Sequence, residues 1–152
     1  MKNTIILLTM LLFSGIGFAQ ESNNGKQLWA KSFLNEKAPE LTVETWISKK
    51  PDTEGKFVII DFWATWCGPC RKAIPELNEI AKEFSKDVVV IGISDEPVEK
   101  IKAMKEPVIE YYYGVDTKKT MDKILEIKGI PHVIIIDPKG IVRWEGFPLL
   151  EN

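Results

Sequence analysis

Between residues 57 and 84 the hydrophobic pattern changes period once, and that change does most to fix the fold. Phe57-Val58-Ile59-Ile60-Asp61-Phe62-Trp63 is a near-continuous apolar, β-branched run of the kind buried on both faces of a mainly parallel sheet. From Pro69 to Phe84 the apolar residues recur as Ile74, Leu77, Ile80, Ala81 and Phe84, with Arg71, Lys72, Glu79, Lys82 and Glu83 elsewhere. That spacing predicts an amphipathic helix. The only two cysteines of the chain, Cys67 and Cys70, fall where strand gives way to helix.

The alternation continues downstream. Val88 to Ile93 reads as a second buried strand, Val98 to Met104 as a second helix, Tyr111-Tyr112-Tyr113 with Val115 as a short strand, and Thr117 to Ile127 as a third helix. Val133 to Ile136 is a further core strand. The turn Asp137-Pro138-Lys139-Gly140 leads from it into Ile141-Val142-Arg143-Trp144, a hairpin. Upstream, Leu41 to Trp46 alternates like a strand, and Leu28, Trp29, Phe33 and Leu34 are spaced like a short helix or an ordered arm. The expected class is α/β, a mixed sheet flanked by helices. With 152 residues and 45% hydrophobic content, one core is expected. The 20 basic and 22 acidic residues are interspersed, so nucleic acid is not an expected partner.

The first residues differ from the rest. Lys2, an apolar run from Ile5 to Phe18, and the small-x-small triplet Gly17-Phe18-Ala19 before a polar stretch have the form of a secretory signal peptide cut after Ala19. An uncleaved membrane anchor is the alternative. The expected organisation is a signal peptide over 1–19, an arm over 20–37 and a single domain over 38–152. Exported proteins commonly use cysteines as staples, yet a bridge across two intervening residues closes too small a loop to stabilise much. The pair is better explained by chemistry.

At the mouth of a helix, unpaired backbone N–H groups and the helix dipole favour a thiolate, so Cys67 is the expected nucleophile. Cys70, one turn further in, is placed to resolve the resulting mixed disulfide. Pro69 suits an early helical position, where its missing N–H costs nothing. Zinc would need about four ligands, and the chain offers two cysteines and one histidine, His132. A c-type haem would need histidine directly after Cys70, where Arg71 stands. Neither metal nor other cofactor is expected.

The segment Ile60-Asp61-Phe62-Trp63-Ala64-Thr65-Trp66-Cys67-Gly68-Pro69-Cys70-Arg71 resembles the active-site segment of thioredoxins, and Pro75 falls at their kinking proline. Gly129-Ile130-Pro131 resembles the family's second signature. The stretch from Asp95 to Pro131 is similar to the central insert of the exported TlpA/ResA-like branch, and Ala38-Pro39-Glu40-Leu41 to its lead-in segment. The resemblance implies a thioredoxin-like fold and a redox-active Cys67–Cys70 disulfide. It implies that Asp61 is a buried acid moving a proton to or from Cys70, against the alternative of a solvent-exposed acid at a strand end.

It also implies that Trp66, Gly68, Pro69, Ile130 and Pro131 form the substrate platform, with a cis bond before Pro131 turning the Ile130 backbone toward an extended substrate peptide. A trans proline opening an edge strand is the other reading. Trp63 reads as core. His132 departs from the family pattern and reads as a surface strand histidine. The insert offers Asp95, Glu96, Glu99 and Glu106, none of which the resemblance singles out. The family's C-terminal helix has no counterpart in the six residues Phe147 to Asn152. The apolar arm of Leu28, Trp29, Phe33 and Leu34 is the segment available to cover the sheet in its place.

The function these features point to is an exported thiol:disulfide oxidoreductase, reducing rather than oxidising protein disulfides. Protein thiols and disulfides are its expected substrates, a membrane donor of thioredoxin-reducing type its electron source, and a monomer rather than a dimer its state. Two alternatives differ in class. A peroxiredoxin-like peroxidase calls for Pro-x3-Thr-x2-Cys, and Thr65 lies two residues before Cys67. A non-enzymatic copper chaperone would use both thiols and His132.

Overall fold

The computed structural model describes residues 28–148, and the proposed signal peptide lies outside them. The strands are β1 (Thr45–Trp46), β2 (Phe57–Phe62), β3 (Val88–Ser94), β4 (Tyr112–Val115), β5 (His132–Ile136) and β6 (Val142–Gly146). The helices are α1 (Gly68–Glu83), α2 (Val98–Ala103) and α3 (Thr120–Leu125). One six-stranded sheet runs in the order β1-β4-β3-β2-β5-β6. β2 pairs in parallel with β3, and β3 with β4, while β1, β5 and β6 run antiparallel to their neighbours. This is the expected mixed α/β sandwich.

The most apolar strands, β2 and β3, are central, since only a strand flanked on both edges and covered on both faces can bury every residue. Alternation divides their side chains. Ile59, Trp63 and Val90 pack under α1 with its Cys70, Ala73, Ile74 and Leu77, and with Ile101 of α2. Val58, Ile60, Phe62, Val89, Ile91 and Ile93 form the core of the other face with Met121 and Leu125 of α3.

Two local expectations are corrected, and the choice between helix and ordered arm near the start is decided. The third helix is six residues long, not Thr117 to Ile127, because Lys119 (φ 57°) and Glu126 (φ 49°) bracket it in left-handed conformations that no helix continues through. Of Leu41 to Trp46, only the last two residues pair, with Val115 and Gly114.

The arm, from Leu28, is extended and turned rather than helical. Its donors are taken by the domain, Lys31 N–H by the Leu125 carbonyl (2.7 Å) and Asn35 N–H by the Val142 carbonyl (2.8 Å). Phe33 packs on the face opposite α1, beside α3. The arm therefore does not cover the β5–β6 end of the α1 face, where Ile135 and Trp144 are half-buried.

Candidate active site

β2 ends at Phe62 and α1 begins at Gly68, so the loop between them lies at the C-terminal edge of the parallel strands. Cys67 is the N-cap of α1, with extended backbone (φ −80°, ψ 103°). Its sulfur accepts the Cys70 N–H at 3.2 Å, using one of the donors that a helix start leaves unpaired. Cys67 and Cys70 form a disulfide, with S–S 1.98 Å and Cα–Cα 5.3 Å. Cys70 is wholly buried and Cys67 nearly so, while Trp66, Gly68 and Pro69 beside them are exposed, Trp66 by 68%.

Asp61 lies behind the helix. It shares the α1 face of β2 with Ile59 and Trp63, is fully buried, and neither carboxylate oxygen has a hydrogen-bond partner among the described residues. Burial pushes its pKa up from 3.8 to about 7, and the Tyr111 hydroxyl, outside hydrogen-bonding geometry here, opposes only part of the rise. A carboxyl poised there can hold or release a proton near neutrality, as a thiol waiting to become a thiolate requires. The exposed alternative for Asp61 is excluded by its burial.

The second signature comes to the same end of the sheet. The Ile130–Pro131 peptide bond is cis. Trp66, Gly129 and Ile130 line one cavity of about 170 Å³ with Phe62, Trp63 and Ile93 as apolar floor and Asp95, Lys119 and Asp122 at its rim. Lys119 Nζ lies 2.5 Å from Asp95 Oδ2. Burial and the nearby Asp95 charge raise the Asp122 pKa.

His132 corrects its expectation as a surface residue. It is buried in β5, opposite Phe62 in the β2 register, with the two rings stacked at 6.1 Å on the face away from α1. Burial lowers its pKa, against a smaller opposing effect of Glu145, and Nε2 has no partner among the described residues. A neutral ring on that face stands apart from the cysteine side of the sheet.

One residue of the site was not singled out in the sequence. Glu96, the second residue past β3, is 5% exposed and holds the loop before Cys67 with both oxygens. Oε2 accepts the Thr65 N–H at 2.5 Å and Oε1 the Thr65 hydroxyl at 2.9 Å. Lys100, one turn on, lies 2.7 Å from Oε1. Burial alone would raise the Glu96 pKa, but the bonds from Lys100 and Thr65 together outweigh it and hold it below the ordinary carboxylate value. Its signal was the acidic insert start, which offered four candidates and no way to tell which would meet a loop 31 residues back.

Comparisons with known proteins agree with this geometry. The model of the AhpC/TSA family matches residues 34–145. The thiol:disulfide interchange protein DsbE of Pseudomonas aeruginosa is 29% identical over 94% of this chain and 83% of its own. The thiol-disulfide oxidoreductase ResA of Bacillus subtilis is 26% identical over 69% of this chain and 62% of its own. Among solved structures, the thioredoxin domain of a Bacteroides vulgatus thiol-disulfide oxidoreductase superposes with a TM-score of 0.64 at 29% identity, over 74% of this chain and 86% of that one.

Proposed function

The chain belongs to the AhpC/TSA family, and we propose that within it this thiol:disulfide oxidoreductase of thioredoxin-like fold reduces disulfides of other exported proteins, with Cys67 attacking and Cys70 resolving. The observation that carries the reading is a redox pair at the start of a helix packed over the sheet face that bears a buried carboxyl whose pKa lies near neutrality.

In the reduced protein the Cys67 thiolate attacks one sulfur of the substrate disulfide. That bond breaks, a mixed disulfide forms, and the first substrate sulfur leaves as a thiolate that takes a proton from solvent. Cys70 then gives its proton to the Asp61 carboxylate and its sulfur attacks Cys67 Sγ, releasing the second substrate sulfur as a thiolate, which is also protonated from solvent. Two electrons pass to the substrate and the Cys67–Cys70 disulfide remains. Trp66 and the exposed Gly68 and Pro69 offer the surface on which substrate lies, and Ile130 a backbone with which an extended segment can pair.

Gly68-Pro69 between the cysteines favours the reducing direction, since the thioredoxin pair it resembles sits at about −270 mV. Renewed turnover then needs a donor, for which a membrane protein of thioredoxin-reducing type fits an exported reductant. Export itself rests on the signal-like residues 1–19. A peroxidase reading fares less well, because the Thr65 hydroxyl is engaged by Glu96.

Insulin reduction in dithiothreitol tests the assignment. Cys67→Ser should abolish it, and Cys70→Ser should accumulate a mixed disulfide visible on a non-reducing gel. Loss of alkylation near neutral pH in Cys70→Ala, with Cys67 intact, would reverse attacker and resolver.

A further inference from the structure

The buried carboxyl has a polar neighbour, Tyr111, whose role nothing above assigns. In the sheet register Asp61 lies beside Gly92 of β3 and Val133 of β5, with Cys70 and Ala73 of α1 in the core over that face. Among the described residues no charged side chain contributes to its environment, and the titratable group facing it is Tyr111, with Cys70 held in the disulfide. Tyr111, just before β4, is 5% exposed, and its hydroxyl has no hydrogen-bond partner among the described residues.

Gly92 explains how a residue two strands away reaches Asp61. A Cβ at Gly92 would lie 3.1 Å from Tyr111 Cε2 and 3.1 Å from Trp63 Nε1, so the tyrosine ring occupies the space above β3 that a side chain would fill. Tyr111 also lines a solvent-open cavity of about 470 Å³, bounded by Asn78 and Lys82 of α1, Val88 and Val90 of β3, and Lys49. Tyr111 therefore reaches from the space beside Asp61 to that cavity.

We propose that Tyr111 is the positioning residue of the Asp61 acid: its unpaired hydroxyl turns to donate to the equally unpaired carboxylate when that ionises, and its ring helps to seal the carboxyl from the cavity. The two parts act in opposite senses. Donation favours the charged form, and exclusion of solvent disfavours it. The phenol stays protonated and able to donate, because burial and the Asp61 charge raise its own pKa well above the ordinary value. Proton balance is unchanged: Cys70 S–H breaks, Asp61 O–H forms, and Tyr111 keeps its proton.

The inference rests on the role given to Asp61 above, and its test does not depend on turnover. The Asp61 carboxyl is titrated by its ¹³C shift in the oxidised full-length protein. Tyr111→Phe keeps the seal and removes the donor, so the midpoint should move up by about one unit. In the reduced protein, release of substrate from the mixed disulfide near pH 7 should then slow about fivefold as the ionised fraction falls, with Cys67 alkylation unchanged.

Tyr111→Ala opens the seal, and the midpoint should move down toward the ordinary carboxylate value. Superimposable titrations of wild type and Tyr111→Phe would overturn the proposal. So would an equal slowing by Tyr111→Phe in an Asp61→Asn background, where the coupling should vanish. If the protein reduced no disulfide while the titrations shifted as stated, the proposed function would fail and the positioning of Asp61 would stand.

Discussion

At the scale of single residues, the site divides into side chains whose neighbours in sequence announce them and side chains that matter only through a distant partner. Cys67, Pro69 and Cys70 belong to the first group, because a helix mouth after a buried strand is visible within residues 57 to 84 alone. Asp61 was legible for the same reason, as an acid inside an apolar run. Glu96, Tyr111 and His132 belong to the second. A lone histidine reads as a surface residue unless its register partner, here Phe62, is known.

Glu96 carries a prediction of its own. Its two oxygens receive two donors from Thr65, and glutamine would offer one acceptor and turn an N–H₂ toward the other donor. Loss of a charge-assisted bond to a buried partner costs about 1.5–3 kcal/mol. Glu96→Gln should therefore lower the denaturant midpoint and slow insulin reduction severalfold while leaving the disulfide able to form. Wild-type rates in that variant would mean that the loop before Cys67 holds its shape without the clamp.

At the scale of elements, hydrophobic period identified β2, β3, β5 and α1 because each buries side chains in a pattern its own backbone repeats. It drew α3 too long and left the arm open between a short helix and an ordered arm. The arm's conformation is set by hydrogen bonds to other segments and the ends of α3 by the left-handed Lys119 and Glu126, neither of which hydrophobic spacing reports. The arm's position shows what it supports. Trp29 accepts the Lys128 N–H through its carbonyl at 2.7 Å, and its ring backs Gly129, where a Cβ would come within 2.9 Å of Cε3. It thus braces the loop that carries Ile130 and Pro131. A methyl at Gly129 meets the Trp29 ring, and overpacking of this kind costs about 1–3 kcal/mol. Gly129→Ala should raise KM for a protein substrate and reduce stability, and Trp29→Ala in the same chain should restore much of the stability. A Gly129→Ala protein as stable as wild type would show that the ring yields freely.

At the scale of the whole molecule, the order of strands could not be read from the sequence, since β1 and β4 are short and their places are set by pairing with segments far away in the chain. The same sheet buries two titratable groups on opposite faces, and together they shape stability against pH. Asp61 has a folded pKa of about 7 against an ordinary 3.8, so between these values the folded state binds the extra proton. Stability then falls as pH rises through that window, at up to about 1.4 kcal/mol per unit, or about 4 kcal/mol in all. His132 has a folded pKa below its ordinary 6.5, so the unfolded state binds the extra proton and stability falls as pH drops below that value. The two slopes oppose each other from the folded His132 value up to 6.5, and Asp61 acts alone from there to about 7. Denaturant unfolding of the oxidised protein across this range should show the native curve losing stability toward neutral pH relative to Asp61→Asn. The difference between the two should widen from acid to neutral pH and become constant above about 8. Parallel curves at every pH would mean that Asp61 holds no proton in the folded state near neutrality, and would remove it as the acceptor for Cys70.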